Sequence, residues 1–406
     1  MKTAAIICEY NPFHNGHAYQ IEKTREKTGA NIILALMSGN YVQRGTPALM
    51  EKQLRTKAAL SCGADIVIEL PLWFACNSAP YFASGAISLL NSLGIVDFLS
   101  FGSECENLSD LKNLTDFLVT NEKDLSDLTT HYVKDGHSYP KARELALFDL
   151  CGHNHWLNLI REPNNLLGIE YLKALRKTNS HIVPVSIPRK SSSHHQQKLQ
   201  HNSSFSSASA IRNVIEQSKD LSDITPSIPE PCISLMYQHF QKDFPVTLND
   251  FSGFLKFQAL HLDQITDFWE ISSDFQDIFQ KHLCPEKNIT QLIHTMKSKN
   301  LTWSRISRNL MHILLGMKNM HRDFILSHNE KLYYQILGFR KESSHVIAQL
   351  KQHATIPMVR HCRAFKDPLS PYQEELLCIE QRANQIYHIV LGEKFHISWK
   401  DQQIIV

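Results

Sequence analysis

The junction at residues 3–17 constrains the fold most. A short apolar run, Thr3-Ala4-Ala5-Ile6-Ile7, reads as a buried strand. It breaks into a turn and then into His14-Asn15-Gly16-His17, which opens a helix. Further runs repeat the strand pattern: Asn31–Met37, Asp65–Leu70 stopped by Pro71, Val96–Phe101 before Gly102, and His181–Ile187, interrupted by Pro184. Between them lie segments with helical spacing of Leu, Ala and Ile, such as Lys52–Ser61 and Tyr81–Leu93. Strands alternating with helices predict an α/β fold with a parallel sheet covered on both faces. Ligands of such sheets sit beyond the carboxyl ends of the strands. Chemistry is therefore expected in the loops after Ile7, Met37, Leu70, Phe101 and Ile187.

Residues 14–17 have the character of a phosphate loop. A helix N-terminus presents unpaired amides and a partial positive charge. Gly16 leaves room for a ligand against the backbone. His14 and His17, one turn apart, can donate hydrogen bonds to a phosphate that gains charge in a transition state, each such donor contributing about 3 kcal/mol. In a chain with 22 histidines this spacing also arises by chance, so its place between strand and helix carries the argument. A second segment, Ser206-Ser207-Ala208-Ser209-Ala210-Ile211-Arg212, sets hydroxyls at a helix start and an arginine one turn in. Ser207 and Ser209 suit β- and γ-phosphates, and Arg212 offers a forked donor. Plain N-capping accounts for the serines but not for Arg212. The loop Met37–Gly45 carries Ser38, Asn40, Gln43 and Arg44; it reads either as a substrate loop or as an ordinary polar turn.

At 406 residues the chain exceeds one ordinary core. The expected division is a catalytic α/β domain at 1–222, a Pro-rich linker at 223–232 and a mainly helical region at 233–406. Pro226, Pro229 and Pro231 argue for the linker. Helices are expected at Phe251–His261, Gln264–Lys281, Asn288–Met296, Trp303–Met317, Glu342–His353 and Tyr372–Leu391. The polar stretch 188–205 is long enough to act as a lid. Lys297, Lys299, Arg305 and Arg308, with Trp303 among them, suit a phosphate backbone, although a solvated helix face has the same pattern.

A net charge of +2 is too balanced for a chain that binds nucleic acid over its whole surface. No apolar run reaches the roughly 18 residues of a membrane span, and the N-terminus lacks a signal-peptide core. The 9 cysteines are scattered with no Cys-x-x-Cys, which points to reduced thiols and a cytoplasmic location. Neither Cys151–His155 nor His194-His195 completes a ligand set, so no protein-bound metal is expected. No protein partner is evident.

The His-x-Gly-His loop and the later serine-arginine segment resemble the nucleotidylyltransferase superfamily, which implies a Rossmann-like HxGH domain. Longer strings resemble the bacterial tRNA(Met) cytidine acetate ligases: Glu9–His17, Met37–Gly45, Asp65–Pro71, Phe101–Glu104, Pro163–Gly168 and Tyr334–Phe339. That resemblance implies two steps. Acetate attacks the α-phosphate of ATP, and the acetyl group then passes to the wobble cytidine of elongator tRNA(Met). It also implies a set of ATP-binding residues: Ile7, Cys8, Glu9, Tyr10, Asn11, Pro12, Phe13, His14, Asn15, Gly16, His17, Ala18, Tyr19 and Gln20, with Gly102, Asn164 and Arg189. His14, His17 and Arg212 are then the catalytic set, while Ser38, Asn40, Gln43 and Arg44 become candidates for acetate or cytidine. Mg²⁺ is expected to accompany the triphosphate through phosphates and waters. The resemblance breaks after Arg189, where a Gly- and Tyr-containing stretch of the family gives way to Lys190-Ser191-Ser192-Ser193-His194-His195. Two other readings stand beside this one: an adenylyltransferase acting on a small phosphorylated acceptor, and a non-catalytic nucleotide- or RNA-binding protein. The long helical half argues against the first. The joint presence of His14, His17 and Arg212 argues against the second.

Overall fold

The structure, a computed structural model, describes residues 1–406 except 153, 191–203, 219, 361–362, 365–367 and 399–401, with only the backbone of 363–364. Its main sheet contains β1 (Thr3–Cys8), β2 (Ile32–Ser38), β3 (Ile66–Leu70), β4 (Phe98–Ser103), β5 (Val183–Pro188), β6 (Gln335–Phe339) and β7 (Ile404–Ile405). The spatial order is β7-β6-β3-β2-β1-β4-β5. Strands β1 to β5 are mutually parallel. All the strands expected from the sequence are present. Pro184 is tolerated because β5 is an edge strand, where the missing N–H interrupts only one side of the ladder.

The helices that place the site are α1 (Asn15–Thr28), α2 (Lys52–Ser61), α3 (Ala79–Leu93), α4 (Pro163–Lys177), α5 (Ala208–Gln217), α6 (Trp303–Leu315) and α7 (Pro371–Phe395). Successive residues of a strand point to opposite faces, so the apolar runs feed two cores. Ala5, Leu34, Leu36, Ile66 and Ile68 pack with α3, α4, α6 and α7. Ala4, Ile6, Ile33, Ala35 and Val67 pack with α1, α2 and α5. Burial on both faces explains why these strands read as continuous apolar runs.

The second half of the chain is mainly helical, as expected, but departs from expectation in three places. Strand β6 pairs antiparallel with β3, and β7 pairs parallel with β6, so residues beyond 233 extend the sheet itself. The expected linker is structured: Ser222–Ser227 forms a 3₁₀ helix containing Pro226. Pro229 and Pro231 start the helix Glu230–His239, where first-turn N–H groups lack helical partners in any case. The helix expected at Gln264–Lys281 is confined to Ser273–His282. Ser272 caps it by accepting from the Phe275 N–H at 3.3 Å, and the chain before it turns away, with the Trp269 N–H donating to the Met317 carbonyl at 2.9 Å. Most of the expected lid, residues 191–203, lies outside the described residues.

Candidate active site

Strand β1 lies inside the sheet between β2 and β4, and its carboxyl end carries the site. Buried Arg55 on α2 draws the surrounding turns together. Its guanidinium donates to the carbonyls of Met50 (2.9 Å), Glu9 (2.7 Å), Ser38 (3.0 Å) and Gly39. The turns after β1 and β2 are thus tied to one side chain. Tyr10 takes a left-handed φ of 46°. The Asn11 side-chain oxygen accepts from the Leu49 N–H at 2.9 Å.

His14 is the N-cap of α1. Its Nδ1 accepts from the Gly16 N–H at 3.0 Å, and Nδ1 of His17 accepts from the His14 N–H at 3.2 Å. This reciprocal capping arrangement fixes both tautomers: each ring takes a hydrogen bond at Nδ1, so its own proton sits on Nε2. The rings stack with centroids 3.8 Å apart, and Tyr10 and Phe13 pack against the His17 ring at 4.8 and 5.5 Å. The structure gives Gly16 a further role beside the one read in the sequence. A Cβ there would lie 2.9 Å from Cε1 of His14, so the glycine makes room for the capping ring.

Burial pushes the His14 pKa down to about 3, and Arg189 and Arg212 push the same way. Burial, His14 and Arg189 likewise lower His17. Both rings are therefore neutral Nε2–H donors at physiological pH. We expect two-bond ¹H–¹⁵N spectra of histidine-labelled protein to show both rings in this tautomer, without titration, between about pH 5 and 8. A midpoint near the ordinary histidine value, about 6.5, would contradict this arrangement.

A cavity of about 400 Å³ opens in front of this pair. Ile7, Cys8, Glu9, Tyr10, Asn11, His14, His17 and Gln20 line it, together with Gly102, Asn164, Arg189, Ser207, Ser209 and Arg212. Gly16 and Tyr19 line an adjoining space of about 60 Å³ that shares His14, His17, Gln20, Gly102 and Arg189. Pro12, Phe13, Asn15 and Ala18 do not line either space. Asn15 instead ties α1 to the later chain, donating to the carbonyls of Ser204 (2.8 Å) and Pro226 (3.0 Å).

The charged groups converge on one end. Arg212 donates to the Asn11 carbonyl at 2.8 Å and to the Ser209 hydroxyl at 3.0 Å, and Arg44 reaches the same hydroxyl at 3.4 Å. Ser207 caps α5, accepting from the Ala210 N–H at 3.1 Å. Burial lowers the pKa of Arg189 and of Arg212, yet a guanidinium stays charged. Two helix N-termini, two neutral imidazoles and three arginines have the chemistry of a polyphosphate site. The opposite wall is apolar, with Phe82, Phe101, Leu166, Leu167 and Tyr171.

Of the Met37–Gly45 candidates, Gln43 and Arg44 line the cavity and Ser38 and Asn40 do not. Asn40 is buried, donating to Asn384 Oδ1 at 3.1 Å and accepting from the Lys52 N–H at 2.9 Å. Gln43 is held by its N–H to Glu9 Oε1 at 3.0 Å. Asn164 directs its amide to Glu104. The neighbouring Asn165 was not anticipated. Its Oδ1 accepts from the N–H groups of Glu104 and Cys105, both at 3.0 Å, and from the Ser103 hydroxyl at 2.7 Å, which fixes the turn after β4.

Arg305 and Arg308 on α6 line a second cavity of about 490 Å³, with Ala79 and Leu166 in the walls of both cavities. Lys297 and Lys299 are exposed, and Lys299 donates to the Gly136 carbonyl at 2.7 Å. Among the described residues, no group of three or more His, Cys, Asp or Glu side chains is placed to hold a metal ion. No helix among them is long and apolar enough to cross a membrane.

Comparison with known proteins identifies the family and the fold. Residues 1–403 match the family model described as HIGH Nucleotidyl Transferase. A tRNA(Met) cytidine acetate ligase of Caldicellulosiruptor saccharolyticus is 38% identical over 397 residues, which are 98% of this chain and 96% of that protein. The enzyme of the same name from Acetivibrio thermocellus is 35% identical over 394 residues, 95% and 94% of the two chains. The crystal structure of Thermotoga maritima TmcAL without ligand superposes with a TM-score of 0.89 at 27% identity, covering 100% of both chains. The form bound with alpha-thio ATP gives 0.86 at 27% identity over 97% and 96%. The chain belongs to the HIGH Nucleotidyl Transferase family and, within it, to the tRNA(Met) cytidine acetate ligases.

Proposed function

We propose that this enzyme condenses acetate with ATP and then acetylates N4 of the wobble cytidine of elongator tRNA(Met). One observation carries the reading: the neutral, stacked His14–His17 pair lines one cavity together with Arg189 and Arg212. In the first step an acetate oxygen attacks the α-phosphorus, and the bond to the bridging oxygen of the β-phosphate breaks, releasing pyrophosphate. The His14 and His17 Nε2–H groups donate to the α-phosphate as charge builds there, and Arg212, Arg44 and Ser209 take the departing phosphates. Neutral donors serve this step well, because they keep their protons throughout. In the second step the cytidine amine attacks the acetyl carbon, the acyl–phosphate bond breaks, AMP leaves and the amine loses a proton. The cytosine amine is delocalised into its ring, which is why the acetyl group needs so good a leaving group.

Glu9 is the only acidic side chain lining the cavity among the described residues, and its Oε1 already accepts from Gln43. These residues fit a Mg²⁺ that enters on the triphosphate and its waters, shielding phosphate charge. Gly102 and the apolar wall suit the adenosine. Gln43, which lines the cavity from the β2 loop, is the candidate to meet acetate. The reading puts the enzyme in the cytoplasm with its substrates. The solved alpha-thio ATP complex of the Thermotoga relative and the names of the other relatives support it.

The test is incubation with ATP, labelled acetate and unmodified elongator tRNA(Met), followed by digestion of the RNA and mass spectrometry. We expect labelled N4-acetylcytidine and one AMP per acetyl group. AMP appearing on a small phosphorylated acceptor, with no label in RNA, would overturn the reading. So would a complete lack of ATP consumption.

A further inference from the structure

We propose that the second cavity is the acceptor site, which takes unpaired RNA nucleotides and delivers the reacting base to the adenylate. This rests on the reading of the first cavity as the adenylation site. The two spaces meet: Ala79, at the start of α3, and Leu166, in the first turns of α4, line both. An acceptor held in the second cavity is therefore one side chain away from the first.

The lining has the chemistry of a single-stranded nucleotide site. Tyr139 stands on the rim, 62% exposed, although it is a large aromatic ring. Aromatic rings on a basic groove act as stacking platforms for unpaired bases. Arg143, Arg305 and Arg308 supply guanidinium groups for phosphate oxygens or for the carbonyl and ring nitrogen of a pyrimidine. Glu170 and Glu270 supply acceptors for an exocyclic amine. Arg308 is half-buried, and its Nε has no hydrogen-bond partner among the described residues. Such a donor is costly to leave unmatched. The cavity continues outward past Pro80, Tyr139, Arg143 and Glu170 into another space of about 490 Å³.

The two sites are also coupled mechanically. Gly45, at φ 71°, ends the loop that carries Gln43 and Arg44, and it lies directly on α6. A Cβ there would come within 2.3 Å of the Arg308 backbone nitrogen, and the Ser307 hydroxyl donates to the Gly45 carbonyl at 2.6 Å. The loop at the adenylate and the helix at the acceptor thus share one contact. This moves the cytidine away from Ser38 and Asn40, which are buried in the fold.

The test uses the full chain with Tyr139→Ala and Arg305→Gln, alone and together; both side chains are exposed, so the fold is spared. Two quantities are read. Acetate-dependent ATP–pyrophosphate exchange, without RNA, reports the first cavity. Fluorescence anisotropy of a labelled tRNA(Met) anticodon stem-loop reports the second. We expect exchange within about twofold of the parent and stem-loop binding weakened about tenfold or more by the double variant, in the range of one lost base–aromatic stack. Lys2→Gln, the same charge loss at the amino end of β1, away from the carboxyl end that carries the site, is expected to leave stem-loop binding unchanged. Unchanged binding in the double variant, equal loss in Lys2→Gln, or loss of exchange in parallel with binding would each overturn the acceptor site. A parent protein without acetate-dependent exchange would instead overturn the adenylation reading beneath it.

Discussion

Replacing His14 by asparagine and His17 by glutamine is expected to lower acetate-dependent pyrophosphate exchange by about 10²–10³-fold or more while leaving stability almost unchanged. The choice of residues follows from the double duty of the histidines. Each ring uses Nδ1 to cap α1 and presents Nε2–H to the cavity. Alanine at either position removes both functions, and losing the cap alone costs about 1 kcal/mol. Asparagine is a favoured N-cap residue, and glutamine at the third helical position completes a capping box, so the pair restores the helix start. Neither short amide reaches as far as an imidazole Nε2. The two donors serve one phosphate, so the single variants should each lose most of the rate and the double little more. Urea unfolding measured beside exchange checks the separation. If exchange tracks stability across His14→Ala, His14→Asn and the double variant, the rings are only caps and the catalytic assignment fails.

Much of this site was legible before any coordinates. Parallel strands buried on both faces advertise themselves as apolar runs, and a strand running into His-x-Gly-His marks the end of the sheet where the cavity opens. What escaped the sequence depends on groups that meet only in the fold. Arg55 reads as one polar residue on an amphipathic helix, yet its role requires carbonyls from residues 9, 38, 39 and 50 to converge on it. Strand β6 pairs with β3 across more than half the chain, so no local period distinguishes it from the helices around it. Ser38 and Asn40 looked like site residues because polar groups after a strand usually face the ligand. Asn40 faces inward because it must satisfy the Lys52 N–H and a side chain of α7. The prolines of 226–231 looked like a break, although Pro229 is the N-cap and Pro231 a first-turn residue of the helix Glu230–His239, positions that need no N–H, and Pro226 is accommodated within a short 3₁₀ helix.

The other large effect lies beneath the site. Lys52→Met is expected to destabilise the fold by about 3–5 kcal/mol, because it strands buried carboxylate charge. The Lys52 ammonium donates to both oxygens of Glu69, at 3.1 and 2.8 Å, with the two side chains 1% and 4% exposed. Glu380 on α7 lies close enough for Glu69 to disfavour its ionisation and Lys52 to favour it. It accepts from the Leu72 N–H at 3.1 Å and the Tyr333 hydroxyl at 2.6 Å, fastening α7 to the end of β3. Burial first, then Glu69, raises its pKa to about 7. The sign follows from that shift. Between the unfolded carboxylate value, about 4.3, and about 7, the folded chain holds a proton that the unfolded chain has lost, so stability falls as pH rises through this window. Without Lys52 the ionised pair costs more, whereas a proton on Glu380 relieves part of that cost. The loss in Lys52→Met should therefore be larger at pH 8 than at pH 5, and Lys52→Met/Glu69→Gln should recover much of it at both. Denaturant midpoints at the two pH values decide the matter. A loss that is the same at pH 5 and pH 8, or below about 1 kcal/mol at both, would mean that Lys52 does not balance these carboxylates.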